Sequence, residues 1–220
     1  NQGSYLYYQV EAVEPQITAY LQKLFLPDNV HITGAYKRQL EIIYELEYVV
    51  NSTNENIKPK FETANPPELL EENPGNLLYK LLNGLKLRLY TGTESVAKKL
   101  FFTGTSPEFA DAFIKTYPGI SFPGTANEDD TDVFKQVNIN YIPPCLRETP
   151  AIIERAAHSP LPQLIQPEDI RGIIHCHSNW SDGSNTLEEM AIAAKEQGFE
   201  YLVISDHSKS AFYAQGLHEE

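Results

Sequence analysis

Cysteine is scarce in this chain: only Cys145 and Cys176 occur, in segments of different character, and Cys176 stands between two histidines. That does not suit a disulfide framework and makes a reducing, cytoplasmic setting the default expectation. Long apolar runs are also missing. No stretch nears the ~18 residues of a membrane span, and the amino terminus lacks a basic region followed by an apolar one, so no membrane partner is expected. Basic residues are few, 17 against 30 acidic ones, for a net charge of −13. Such a field repels nucleic acid and anionic lipid unless a local basic patch or bound cations offset it. No period of 20 to 50 residues recurs, which excludes repeat architectures. What is present is 41% hydrophobic residues over 220 positions, enough for one good core or two small ones. Asn1 in place of an initiating Met, and the close on His218-Glu219-Glu220, fit a processed chain or the ordered part of something longer.

Charge divides the chain. The stretches 1–91 and 92–158 carry −3 each, whereas 159–220 carries −7, and the step falls at the Pro-rich run from Ser159 to Pro167. This predicts units over 1–91 and 92–158, a linker over 159–171 and a further segment over 172–220. In the first unit, Val10, Val13, Ile17, Leu21 and Leu24 space a helix over Tyr8–Leu26 that Pro15 must start or kink. Val30–Thr33 and Glu41–Val50 read as strands, the latter with Glu45 and Glu47 on one face. Residues 75–83 and 85–91 form a hairpin about Asn83-Gly84. The fold class is α+β, with a mixed or antiparallel sheet crossed by a helix. In the second unit, Thr93 caps a helix through Thr103, Gly104 turns the chain, and Ser106-Pro107 opens another. Helices over 128–137 and from Thr149-Pro150 follow, separated by the rigid spacer Tyr141–Pro144.

The final segment reads strand, helix, strand. Gly172–His177 is the first strand, Thr186 and Glu189 make a capping box, and Tyr201–Ser205 is an apolar strand of the buried parallel kind. His175 and His177 alternate onto one face of a strand end, Asp182 follows in Ser181-Asp182-Gly183, and the second strand ends in Asp206-His207. Carboxyl ends of adjacent parallel strands lie side by side, so these groups gather at one rim. Imidazoles and carboxylates so placed suit Zn, Mn or Fe, which could bind a phosphate and activate water. The competing possibility is a turn Asp, a loop His and surface decoration. Cys176, facing away from its neighbours, is expected in the core.

The run His175-Cys176-His177-Ser178-Asn179-Trp180-Ser181-Asp182-Gly183, with Ile204-Ser205-Asp206-His207-Ser208, resembles the opening of the PHP (polymerase and histidinol phosphatase) phosphoesterase domain. The resemblance implies a distorted β/α barrel several times longer than this partial segment. It makes His175, His177, Asp182 and His207 part of a Zn or Mn site whose other ligands come from later strands. Upstream, Phe101–Thr105, Ile142–Glu148, Leu161-Pro162 and Ile170–Gly172 resemble the join between the thumb and the PHP domain of bacterial family X DNA polymerases. By that resemblance 1–91 is a nucleotidyltransferase-like palm, 92–158 a thumb-like domain, and DNA the partner in a repair-class polymerase with PHP phosphoesterase or exonuclease activity.

The same resemblance locates departures. The nucleotide-holding Gly-Ser is matched by Gly34-Ala35, without the hydroxyl, and the following Arg-Arg by Lys37-Arg38. The three aspartates that hold two Mg²⁺ ions and assist the primer hydroxyl are matched by Glu45, Glu47 and Lys86. A carboxylate one methylene longer misplaces its oxygens by on the order of 1 Å against Mg²⁺ bonds of ~2.0–2.1 Å. That can cost ~10²-fold or more. The resemblance with these departures implies a degenerate polymerase centre, and the residues themselves read Glu45 and Glu47 as exposed acids partly matched by Lys86. DNA binding should be weak, despite Lys37, Arg38, Lys98 and Lys99, which also suit ordinary solvated surfaces. The alternative is a non-catalytic DNA-binding or structural module.

Overall fold

A computed structural model describes residues 3–122 and 129–217. Residue 128, where one predicted helix begins, and the terminal residues Asn1 and His218-Glu219-Glu220 lie outside them. The fold is α+β with a mixed sheet, and the chain divides into two compact units, Asn1–Leu161 and Pro162–Glu220.

The first unit opens with β1 (Tyr5–Leu6), α1 (Tyr7–Glu11) and α2 (Glu14–Phe25), followed by β2 (Val30–Thr33) and α3 (Gly34–Lys37). The single helix predicted over Tyr8–Leu26 is thus two. The apolar stripe is continuous, but Pro15 has no N–H to extend a preceding helix and sits instead in the first turn of α2, where none is needed. Next come β3 (Ile42–Ile43), β4 (Leu46–Val50), α4 (Asn54–Ile57), β5 (Glu68–Asn73), β6 (Asn76–Lys80) and β7 (Lys86–Tyr90). The strand predicted over Glu41–Val50 is broken, with β3 pairing to β1 and β4 to the main sheet.

That sheet has the order β2-β4-β7-β6-β5, with β4 and β7 parallel and the other pairs antiparallel. The β6–β7 hairpin turns at Asn83-Gly84, where Gly84 takes φ 87° and the Asn83 side chain accepts from Leu85 N–H at 3.1 Å. Leu46, Tyr48, Val50, Leu77, Tyr79, Leu87 and Leu89 alternate onto the face that packs with Ile17, Leu21 and Phe25 of α2. The opposite face presents Glu47, Arg88 and Tyr90.

Helices α5 (Val96–Thr103), α6 (Pro107–Thr116), α7 (Thr131–Gln136) and α8 (Ala151–His158) complete this unit. Ser106 caps α6 as predicted, accepting from Phe109 N–H at 3.1 Å, but α5 is capped by Ser95 and not by Thr93. Phe101, Phe109, Phe113 and Phe134 form a second core with Val133, Ile142 and Ile153. Arg147 is fully buried beside it, paired to Asp130 and donating from Nε to the Ile142 carbonyl at 2.7 Å.

The second unit is β8 (Gly172–Cys176), α9 (Leu187–Glu196) and β9 (Tyr201–Ile204), the two strands parallel. Thr186 and Glu189 close the capping box on α9. No helix among the described residues is long and apolar enough to cross a membrane.

Candidate functional site

Two groups of polar side chains stand out, one in each unit. In the first, the face of the sheet turned away from the core carries both glutamates. Parallel register sets Glu47 of β4 opposite Arg88 of β7. Glu45 accepts from Arg88 Nε at 2.6 Å, and the same guanidinium donates to Asn76 Oδ1 at 3.0 Å. The partner of Glu45 is therefore Arg88 and not Lys86, and both glutamates are half-buried where exposure was expected. Lys86 lies on β7 against Lys80 of β6.

Glu47 is committed at both oxygens. Its Oε1 accepts from Tyr90 OH at 2.7 Å and its Oε2 from Ala35 N–H at 2.8 Å. A Cβ on Gly34, which takes φ 70°, would collide with this carboxylate, so glycine and glutamate fit one another. Burial pushes the Glu47 carboxyl above its ordinary range, against the two hydrogen bonds that hold it down. Arg38 is bound to Glu148 at 2.6 Å, while Lys37 is exposed. Lys98 is exposed, and Lys99 reaches the Gly92 and Glu94 carbonyls, both at 3.4 Å.

The raised carboxyl gives a signed expectation. In the interval between the unfolded value near 4.5 and the higher folded value, the native state holds more proton than the unfolded chain, so this group's contribution to stability falls as pH rises. Glu47→Gln keeps an oxygen for Ala35 N–H and removes the charge. It should melt above the parent at pH 7 and converge on it below about pH 4.5, the unperturbed carboxyl value. Melting curves of both proteins at those two conditions decide it, a variant less stable at pH 7 being the contrary result.

The second group lies at the carboxyl ends of β8 and β9. Ligand atoms of His177, Asp182 and His207 all fall within 4.8 Å of one another. Asp182 stands between the imidazoles, Oδ1 at 3.0 Å from His177 Nδ1 and Oδ2 at 3.6 Å from His207 Nε2. His177 Nδ1 is buried and makes no aligned hydrogen bond, although a carboxylate oxygen is close. Of the four residues predicted here, His175 stays outside the cluster. It takes φ 61°, the β8–β9 register skips between Ile173 and Cys176, and its side chain is exposed with its ring 5.3 Å from that of His177. Cys176 is half-buried where a core position was expected, and both cysteines are free thiols.

The residues that hold the cluster together carried no role in the sequence reading. Asp206 accepts from Ser178 N–H at 2.7 Å, Ser178 Oγ at 2.5 Å and Ser181 Oγ at 2.6 Å, tying the loop after β8 to the end of β9. Both serines are buried, and their hydrogen bonds hold the Asp206 carboxyl below its ordinary value. Gly183 donates to the Ser178 carbonyl at 2.9 Å, and a Cβ there would run into the His177 carbonyl. The signal available in the sequence was the pair of serines three apart ahead of an Asp-His strand end.

Fold and clusters together describe an α+β protein with a mixed sheet, followed by a βαβ unit bearing a His₂Asp group at its strand ends. Over 107 residues the chain is 34% identical to the DNA polymerase/3'-5' exonuclease PolX of Bacillus subtilis (strain 168), a stretch that is 49% of this chain and 17% of that protein. The match relates part of the chain to a family X polymerase. No protein-family model matches it.

Proposed function

We propose that this chain is a palm, thumb and partial PHP segment of a family X-type DNA repair protein, in which the polymerase centre is closed and the chemistry belongs to a metal-dependent phosphoesterase centre at His177, Asp182 and His207. The observation that carries this reading is the convergence of those three side chains, with His177 Nδ1 buried and making no aligned hydrogen bond although Asp182 Oδ1 lies 3.0 Å away. A buried ring nitrogen without a hydrogen bond costs free energy unless something else occupies its lone pair. Two imidazole nitrogens and a carboxylate are donors that suit Zn or Mn. An ion so bound lowers the pKa of water and neutralises a phosphodiester oxygen.

The chain's own residues do the positioning. Asp206, through Ser178 and Ser181, fixes the loop that presents Asp182, and the Gly183 turn closes that loop on the His177 carbonyl. His177 Nδ1 and His207 Nε2 each lie near a different oxygen of the Asp182 carboxylate. By the same resemblance His175 would share in a site of up to three ions with these three residues.

The name of the relative joins a polymerase and a 3'-5' exonuclease. In this chain the second activity has the better-supported residues, because Glu45 and Glu47 are spent on internal partners. Those contacts also favour a second reading for the first unit alone, a non-catalytic DNA-binding or structural module.

The test is metal analysis of the purified chain after dialysis against Mn²⁺ or Zn²⁺. One ion per chain of modest affinity is expected, with His177→Ala and His207→Ala each lowering affinity by more than the ~10 to 100-fold typical of losing a supporting group. Unchanged metal content in both variants, confirmed folded by circular dichroism, overturns the assignment. Duplex DNA should bind no tighter than ~10⁻⁴ to 10⁻⁶ M, the non-specific range.

A further inference from the structure

Two consecutive side chains, Arg147 and Glu148, have partners in different parts of the first unit. Arg147 is sunk in the helical core, whereas Glu148 accepts from Nε of Arg38, 110 residues earlier in the chain, at 2.6 Å. Glu148 is set in place by its backbone: Ser106 N–H donates to the Arg147 carbonyl at 3.1 Å and Ser106 Oγ to the Glu148 carbonyl at 3.0 Å. The Arg38 side chain is 16% exposed and also donates from Nη1 to the Thr103 carbonyl at 3.4 Å. Beside it the Thr33 and Thr103 hydroxyls share a hydrogen bond of 2.6 Å, with Thr33 buried. An ordinary surface ion pair is worth little because two long side chains must be ordered to make it. Here one end is ordered by its backbone and the other by its surroundings.

What Arg38 holds is α3. That helix has four residues, with Arg38 N–H on the Gly34 carbonyl at 3.1 Å, and is too short to persist by itself. It is fixed from outside: Tyr36 stacks on Tyr7 with ring centroids 4.8 Å apart, and Arg38 is bound by Glu148. At the start of the same helix, Ala35 N–H is the donor that Glu47 Oε2 accepts at 2.8 Å. We propose that Glu148 is a remote clasp that keeps the glutamate-bearing face of the sheet closed: by holding Arg38 it seats α3, and the seated helix keeps Ala35 N–H on Glu47. This rests on the reading of that face as closed. Breaking the clasp frees the far end of a one-turn helix, so the bond between Ala35 and Glu47 opens more often while the sheet stays folded. The helical part thereby sets how firmly Glu47 is held, although the hydrogen bonds to Glu47 come from Ala35 and Tyr90.

The experiment is amide hydrogen exchange, followed by nuclear magnetic resonance, on the full chain and on Glu148→Gln and Glu148→Ala. An amide in the first turn of a helix has no acceptor within that helix, so protection at Ala35 reports its bond to Glu47. Both variants should exchange at Ala35 at least ~3-fold faster than the parent, within the range for loss of one ion pair near the surface. Amides of β4 and β7 should keep their rates, because the opening is local. Glu72→Gln breaks another ion pair of the same unit, 2.8 Å to Lys58, and should leave Ala35 unchanged.

A smaller change at Ala35 in both variants, with protection present in the parent, overturns the clasp and leaves the closed face standing. So does an equal acceleration of Ala35 and of the β4 and β7 amides, which marks a general loss of stability, or a matching response to Glu72→Gln. Absence of protection at Ala35 in the parent overturns the reading of the closed face itself.

Discussion

Arg147→Ala should destabilise the first unit by about 3–5 kcal/mol, the usual cost of removing one partner from a buried ion pair. Arg147 is 0% exposed, and its guanidinium pairs with Asp130, bonds the Ile142 carbonyl and lies 4.7 Å from the Phe134 ring and 5.2 Å from the Tyr141 ring. Truncation leaves the Asp130 carboxylate, itself 7% exposed, without its cation, orphans a buried carbonyl, and opens a void between two aromatic rings. Against a typical domain stability of about 5–15 kcal/mol, that loss moves the denaturation midpoint far enough to read by far-ultraviolet circular dichroism in urea. The pair itself need not be worth this much. Arg147→Met combined with Asp130→Asn removes both charges and fills most of the volume, and should lie closer to the parent than Arg147→Ala alone. A single variant within about 1 kcal/mol of the parent, the scale of a surface pair, would show the site to be wetter than its burial implies.

Local chemistry was the legible part of this sequence. Asn83-Gly84 supplies a positive φ and a side-chain acceptor within its own turn, Ser106-Pro107 caps and opens a helix, and Thr186 with Glu189 closes a capping box, so each needs no distant partner. The convergence of His177, Asp182 and His207 was legible for a related reason. A parallel βαβ unit brings its strand ends together whatever lies elsewhere.

What escaped depends on register and burial. The β4–β7 pairing is parallel and made across an excursion of the chain, and it sets Arg88 rather than Lys86 against the glutamates. No local pattern fixes that offset. Strand β5 was missed because all six of its residues are exposed and three of them are acidic, leaving no alternation to read. The left-handed backbone at His175 was invisible because histidine carries no signature for it. The burial of Arg147 has no local signal either, because only the fold brings Asp130, Phe134 and Tyr141 around it.

No template-directed DNA synthesis should be detectable from this chain, in Mg²⁺ or Mn²⁺, with any deoxynucleotide. Two-metal phosphoryl transfer needs carboxylate oxygens free to ligate and an open cradle for the triphosphate. Here Glu45 is neutralised by Arg88 at 2.6 Å, and both Glu47 oxygens accept hydrogen bonds, one from the Ala35 N–H. That N–H is a donor a bound phosphate would need, and the Glu47 carboxylate already lies across Gly34. Binding two Mg²⁺ ions would require breaking the Arg88 pair and releasing both Glu47 oxygens from the hydrogen bonds of Tyr90 and Ala35. A ligand set misplaced by on the order of 1 Å adds a further loss of ~10²-fold. Placing aspartate at positions 45, 47 and 86 together should still leave synthesis undetectable, because Arg88 would remain on the same face of the sheet. The measurement is primer extension on a gapped template, resolved to single-nucleotide addition. Incorporation by the parent chain that follows the template and disappears in Glu45→Ala would show that the Arg88 pair opens in the presence of nucleotide, and that the closed sheet face is a resting state of a working centre.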